Sequence, residues 1–170
     1  MESKGELTTR WRGIVILILA VLVILVTTTT PNAQPKWGLG AKILNQVPLV
    51  TGSVAWSNIK LGLGTAYTNQ DGVELTLFAV DGQYRFLDRG ETIRPYVALK
   101  GVSVDVSSGI YSAMVSGGGA TAGISWLATP SLNLEIGAGY LNFTDVTVGS
   151  LTVPIDVGGS VFEAGVTWRF

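Results

Sequence analysis

The sequence predicts an all-β protein: an eight-stranded antiparallel up-and-down transmembrane β-barrel, preceded by an N-terminal signal helix. Three observations carry this reading. Only 14% of the 170 residues are charged while 47% are hydrophobic, against roughly a quarter charged in a typical soluble protein. Mean hydropathy is +0.43, yet a single unbroken apolar run exists, near the N-terminus. Beyond it the apolar residues alternate with small or polar ones at a period of two, the signature of strands with two different faces.

The N-terminal segment reads as an address. Lys4, Arg10 and Arg12 precede the apolar run 14–26, which four threonines and Pro31 follow. A basic flank, a short apolar stretch and a polar exit describe a secretory signal, and the run is shorter than the ~20 residues of a membrane helix. We expect residues 1–33 to be a signal peptide cleaved after Ala33, and 34–170 to be the barrel domain. The alternative is an uncleaved anchor tethering a soluble periplasmic β-sandwich.

Eight strands are expected, over 36–45, 49–56, 59–68, 73–87, 93–107, 111–127, 132–142 and 159–170. Most connections are short, with Ser57-Asn58, Asp71-Gly72 and Pro130-Ser131 supplying turn chemistry. Short links exclude parallel crossovers, so the sheet meanders. In the last strand Phe162, Ala164, Val166, Trp168 and Phe170 share one face, opposite Glu163, Gly165, Thr167 and Arg169. The strand at 132–142 sets Leu132, Leu134, Ile136 and Tyr140 against Asn133, Glu135, Gly137 and Gly139. Trp37, Leu39 and Ile43 likewise oppose Gly38, Gly40 and Lys42, and Leu61 and Leu63 oppose Lys60, Gly62 and Gly64.

The size asymmetry of these faces decides which is outside. A solvated exterior would be rich in Lys and Glu, whereas here the polar face is mostly glycine with a few charges. It suits the narrow lumen of an eight-stranded barrel, and the bulky face then meets lipid. With Phe170 at the periplasmic side, Trp37, Trp56, Tyr84, Phe86, Tyr96, Trp126 and Trp168 fall at one edge as an aromatic girdle. Tyr67, Tyr111, Tyr140 and Phe162 fall at the other. The phase breaks twice. Glu74 and Thr76 are out of step with Asp81, Gln83 and Arg85, and Lys100 with Ser103 and Asp105. Bulges near 77–79 and near Gly101 are expected to restore it.

The segments Gly82-Gln83-Tyr84-Arg85-Phe86 and Arg94-Pro95-Tyr96-Val97-Ala98-Leu99, joined by a turn over 87–92, lead to a family. So does the ending Gly165-Val166-Thr167-Trp168-Arg169-Phe170. With them the chain resembles the small eight-stranded outer-membrane β-barrels of Gram-negative bacteria, the OmpA/OmpX-like group. The resemblance implies an outer-membrane location among lipid and lipopolysaccharide. It also implies that Val166, Trp168 and Phe170 form the signal read by the barrel-assembly machinery, and a monomer is expected.

The chemistry is sparse. Without histidine or cysteine, His-dependent triads, thiolate nucleophiles and ordinary zinc sites are excluded. A formal charge of -1 offers no basic face for nucleic acid. No catalytic, cofactor or metal site is expected. Ser103 and Ser125 are the only serines near expected lumen charges, and their spacing singles out neither. Gly38-x-Gly40 and Gly62-x-Gly64 alternate within strands without a following helix, so they are not phosphate loops. Gly117-Gly118-Gly119 reads as a bend or tight fit, and Asp71, Asp145 and Asp156 as solvated loop carboxylates.

Two features remain. Lys42, Lys60, Asp81, Arg85, Asp105, Glu135, Glu163 and Arg169 are expected to line the lumen and to pair there, since isolated charges in so narrow a space are costly. The reading is a plugged, structural barrel; its alternative is a small gated channel for polar solutes. The connection 143–158, with Val146, Val148, Leu151, Val153 and Ile155, is a candidate surface-partner site. It is expected to fold over the barrel mouth rather than protrude as a hairpin.

Overall fold

The structure, a computed structural model, describes residues 34–86, 92–109 and 111–170. The expected signal segment 1–33 and most of the 87–92 turn lie outside the described residues. The strands are β1 (Lys36–Leu44), β2 (Val47–Trp56), β3 (Ile59–Gln70), β4 (Val73–Arg85), β5 (Ile93–Ser108), β6 (Tyr111–Leu127), β7 (Leu132–Val148) and β8 (Leu151–Arg169). They form one closed barrel in sequence order. Every neighbouring pair is antiparallel, and β8 returns to β1 through Gly38↔Arg169 to Leu44↔Glu163. Closure satisfies the backbone without a sheet edge along that stretch.

The turns explain the economy of the connections. Asn45 and Gln46 have φ of 45° and 72°, and Asp71 and Gly72 have 54° and 79°. Positive φ at both central residues is the type I′ arrangement whose twist matches that of a hairpin. The wall is uneven in height. β1 and β2 span nine and ten residues, whereas β7 and β8 span seventeen and nineteen. The segment expected to fold over the mouth is therefore a protruding hairpin, with Val146 paired to Val153 and Val148 to Leu151. Its alternating β-branched residues extend the ladder instead of breaking it.

Neither expected bulge is present. β4 keeps unbroken register with β3 and β5 through 77–79, and β5 with β6 through Gly101. The register is irregular instead between Phe143 and Asp145 of β7 and, opposite them, between Pro154 and Val157 of β8. What changes along the wall is the polarity of each face. In the lower barrel Leu63, Val80, Leu99 and Ile136 point outward and are exposed, while Lys60, Gln83, Lys100 and Glu135 are buried within. Toward the outer end the pattern inverts. One inward row across the sheet reads Ala66, Leu77, Val104, Val115, Val146 and Val153; a second holds Leu75, Val106, Ala113, Val148 and Leu151. The outward row between them reads Tyr67, Thr76, Asp105, Met114, Thr147 and Thr152. A wall that leaves an apolar medium for water should invert in this way, because the bulky side chains then belong inside.

The interior is thus divided. Leu44, Leu49, Leu77, Val102, Leu141 and Val161 form a buried apolar cluster beneath the outer mouth, with Phe143 and Val104 packed against it. The charged side chains lie below this cluster, on the inward positions of the lower strands.

Candidate functional site

Two carboxylates organise the lower lumen. Glu135 on β7 accepts from Lys60 Nζ at 2.8 Å through both oxygens, and from Arg85 Nη2 at 3.1 Å through Oε1. Asn133 Nδ2 donates to the same Oε1 at 2.9 Å, and Ser125 Oγ donates to Asn133 Oδ1. Arg85 Nε also donates to Gln83 Oε1, which holds the guanidinium plane. Glu163 on β8 is the second centre. Lys100 Nζ lies 2.7 Å and Lys42 Nζ 3.3 Å from its Oε2, while Tyr96 and Thr121 hydroxyls donate to Oε1 at 2.8 and 3.0 Å. Lys42 also reaches Asp81, at 3.6 Å.

Glycine makes room for these groups. An added Cβ on Gly123 would meet the Tyr96 ring, and one on Gly137 would meet its hydroxyl. The Tyr96 side chain therefore occupies a slot left by two residues with no side chain. The Gly117-Gly118-Gly119 run, read as a bend or tight fit, includes such close approaches: a Cβ on Gly119 would run into the Tyr140 carbonyl on the next strand.

The structure brings together Lys42, Lys60, Asp81, Arg85, Glu135 and Glu163, and adds Lys100, Tyr96, Thr121, Gln83, Asn133 and Ser125. Asp105 must be removed from the expected set. It is exposed on the outward row above the apolar belt, paired with Thr76 and Met114. Arg169 faces the lumen at its inner end, where its guanidinium donates to the Pro130 carbonyl at 3.5 Å. Two members of the expected girdle are also misplaced. Tyr96 is 2% exposed inside the lumen, and Trp56 is buried at the β2–β3 turn. Trp37, Tyr84, Phe86, Trp126 and Trp168 are exposed at that end, with Tyr84 and Phe86 stacked edge to face. Val166, Trp168 and Phe170 share the outward face of the final strand and its end.

Sequence reasoning held the signal for Tyr96 and Lys100 without using it. Arg94, Tyr96, Ala98 and Lys100 share one parity, and two cations on one parity mark the lumen side. All four are buried.

The other candidates resolve simply. Ser103 lies on an outward row with Thr65, Phe78 and Ser116. Asp145 and Asp156 sit in β7 and β8 rather than in a loop, because the hairpin is longer than expected. Asp156 accepts from Asn142 Nδ2 and Asp145 from the Thr144 hydroxyl. Among the described residues no group of three or more acidic, histidine or cysteine side chains is placed to hold a metal ion.

A closed eight-stranded meander with an apolar exterior and a charged lower lumen defines the class: the small outer-membrane type of β-barrel. The chain has that fold. Its backbone is similar to the N-terminal β-barrel domain of Pseudomonas aeruginosa OprF, at 18% identity and a TM-score of 0.54, over 82% of this chain and 100% of that one. It is also similar to a major outer membrane protein from Thermus thermophilus, at 12% identity and TM-score 0.49, covering 81% of this chain and 100% of that one. Neisserial surface protein A matches at 16% identity and TM-score 0.45, over 81% and 96% of the two chains. No known protein-family profile and no curated protein sequence matches the chain.

Proposed function

We propose that this protein is an integral outer-membrane barrel with a structural role, its lumen closed by paired charges below and an apolar cluster above. The observation that supports this best is the double anchoring of each lumen glutamate, Glu135 by Lys60 and Arg85 and Glu163 by Lys42 and Lys100. Buried pairs of this kind resist separation, since removing one partner typically costs about 3–5 kcal/mol. A continuous polar path would also have to cross Leu44, Leu49, Leu77, Val102, Leu141 and Val161. Purified protein in planar bilayers is expected to show no steady conductance. Sustained ion-selective currents from the unaltered chain would replace this reading with that of a small channel.

The location follows from the same faces. The protein is expected to stay with the membrane fraction under carbonate or high salt and to need detergent for extraction. Release under either treatment would overturn the membrane placement. Lipopolysaccharide and the barrel-assembly machinery are the partners this placement implies, with the outward Val166, Trp168 and Phe170 as the assembly signal and the monomer as the working unit.

A surface role rests on a separate observation. β1 pairs with β8 only up to Leu44↔Glu163. Residues 151–160 pair with β7 on one side but extend past β1 on the other, where among the described residues no strand flanks them and the Asn45 side chain bonds the Ser160 carbonyl. An exposed ladder edge of this length suits pairing with a partner's strand. Deleting 146–153 should leave a heat-modifiable barrel and abolish surface binding; binding that survives the deletion would remove the hairpin from the account.

A further inference from the structure

We infer that the concave apolar face above the β1–β2 turn cradles the acyl chain of an outer-leaflet amphiphile, which enters sideways over that turn. The inference rests on the membrane placement proposed above and adds a ligand to it.

Three features carry it. The first is the inverted polarity of the outer wall. Its two inward rows join across β3 to β8 into one surface that is apolar apart from Thr68 beside Leu75. Where β1 and β2 end, that surface is left open: Leu151 is 64%, Val153 46% and Val157 60% exposed, although all three take inward positions. Exposed apolar surface in a water-facing region marks an interaction site. The second is the missing wall. β2 pairs with β3 only as far as Val50↔Thr65, so Ala66 to Gln70 of β3 and residues 151–160 of β8 face each other across the place of two absent strands. Three strand spacings make this notch about 14 Å wide, ample for one hydrocarbon chain.

The third feature identifies the occupant. The floor of the notch, Asn45 and Gln46, stands directly above outward-facing Ile43 and beside Phe162, to which the Asn45 side chain is bonded. Both are exposed members of the apolar belt, so the notch opens at the upper margin of the lipid phase. The interior floor of the cradle is the buried cluster around Leu49 and Val161. Only the uncharged polar turn Asn45-Gln46 separates the belt from the inward rows, and no charged side chain points into those rows. Glu74 and Asp105 take outward positions, and Asp156 is held by Asn142. A chain without charge fits this lining; the ionic headgroup of the amphiphile would stay at the notch, in water.

The test uses the full chain in phosphatidylcholine vesicles that contain a phosphatidylcholine with a photoactivatable diazirine on one acyl chain. After irradiation, adducts are mapped by peptide mass spectrometry. Label is expected on the belt around Leu63, Leu99 and Ile136, and also on the inward rows at Val104, Val115, Val146 and Val153. Val153→Lys should lower the inward label by about tenfold relative to the belt, because an acyl chain laid on that row would have to desolvate the ammonium. Leu151→Lys, at a more exposed position, reads the same way if Val153→Lys does not fold; heat-modifiable migration reports folding. Belt label without inward label overturns the cradle and leaves the membrane placement standing. Loss of both overturns the two together. Inward label unchanged by either folded lysine variant, or replaced by links between two copies of the chain, also overturns it.

Discussion

Lys100 on β5 and Glu163 on β8 meet inside the barrel, Nζ to Oε2, at 2.7 Å. Neither strand neighbours the other in the sheet. The contact therefore crosses the lumen and ties opposite walls, unlike the ladder bonds that tie adjacent ones. Lys42 approaches the same oxygen from the neighbouring strand, and Tyr96 and Thr121 saturate the other. A carboxylate so held has little reason to exchange partners.

Replacing that carboxylate should expose what it does. Glu163→Ala leaves Lys100 and Lys42 buried beside an apolar methyl group, at a cost of about 3–5 kcal/mol. A marked fall in the temperature at which the barrel loses its heat-modifiable migration is the expected outcome. Unchanged stability would mean that water already solvates both ammonium groups.

Tyr96 gives a finer measure. Tyr96→Phe deletes one hydrogen bond to an ionised oxygen, worth about 1.5–3 kcal/mol, and keeps the ring in its slot. Gly137→Ala acts on the slot itself, since the new methyl would collide with the Tyr96 hydroxyl. It should destabilise the barrel, whereas Gly52→Ala should not, because a Cβ there meets nothing within 4 Å. Urea midpoints of the three variants test the ordering.

The upper boundary of the lipid belt can be located by charge. Leu99 is outward and 73% exposed, whereas Asp105 is outward but three positions along the outward series. Leu99→Arg should cost about 2–4 kcal/mol if it lies near the midplane. Asp105→Arg should be close to neutral if it is in water. Equal costs, measured by unfolding from phospholipid vesicles, would contradict the inversion of faces as a mark of the membrane surface.

The end of β8 bears on biogenesis. Deleting Phe170 removes an exposed aromatic side chain and its backbone bonds to Trp37, which run in both directions at 3.0 and 3.2 Å. Export should continue while insertion falls, measured as the ratio of membrane-bound to total exported protein. Normal membrane levels would remove Phe170 from the assembly signal.

Much of the barrel is legible in the sequence, because alternation in a strand is a local property. Lys36 to Leu44, Leu132 to Tyr140 and Val161 to Phe170 each display their two faces without reference to any other segment. The turn residues Asp71 and Gly72 mark a hairpin by their own tolerance of positive φ, whereas Asn45, expected in the first strand, is a turn residue in the structure. Eight strands, their meander, the glycine-lined interior and the bulky exterior all follow from such local readings.

Local patterning could not say what medium a face meets. Glu74 against Asp81, and Lys100 against Asp105, read as breaks in phase if the outward face is taken to be apolar along its whole length. Unbroken register shows that the backbone keeps step and the surroundings change. That is a relation among six strands, visible only when Tyr67, Thr76, Asp105, Met114, Thr147 and Thr152 stand in one row. Partner choice is equally non-local. Lys60 and Glu135 are 75 residues apart, and Tyr96 and Glu163 are 67. The sequence by itself determined that charges would share a narrow lumen and have to pair there. Only closure of the barrel, with its particular register, decided which cation meets which carboxylate, because an ion pair depends on distances of a few ångströms that no single strand sets.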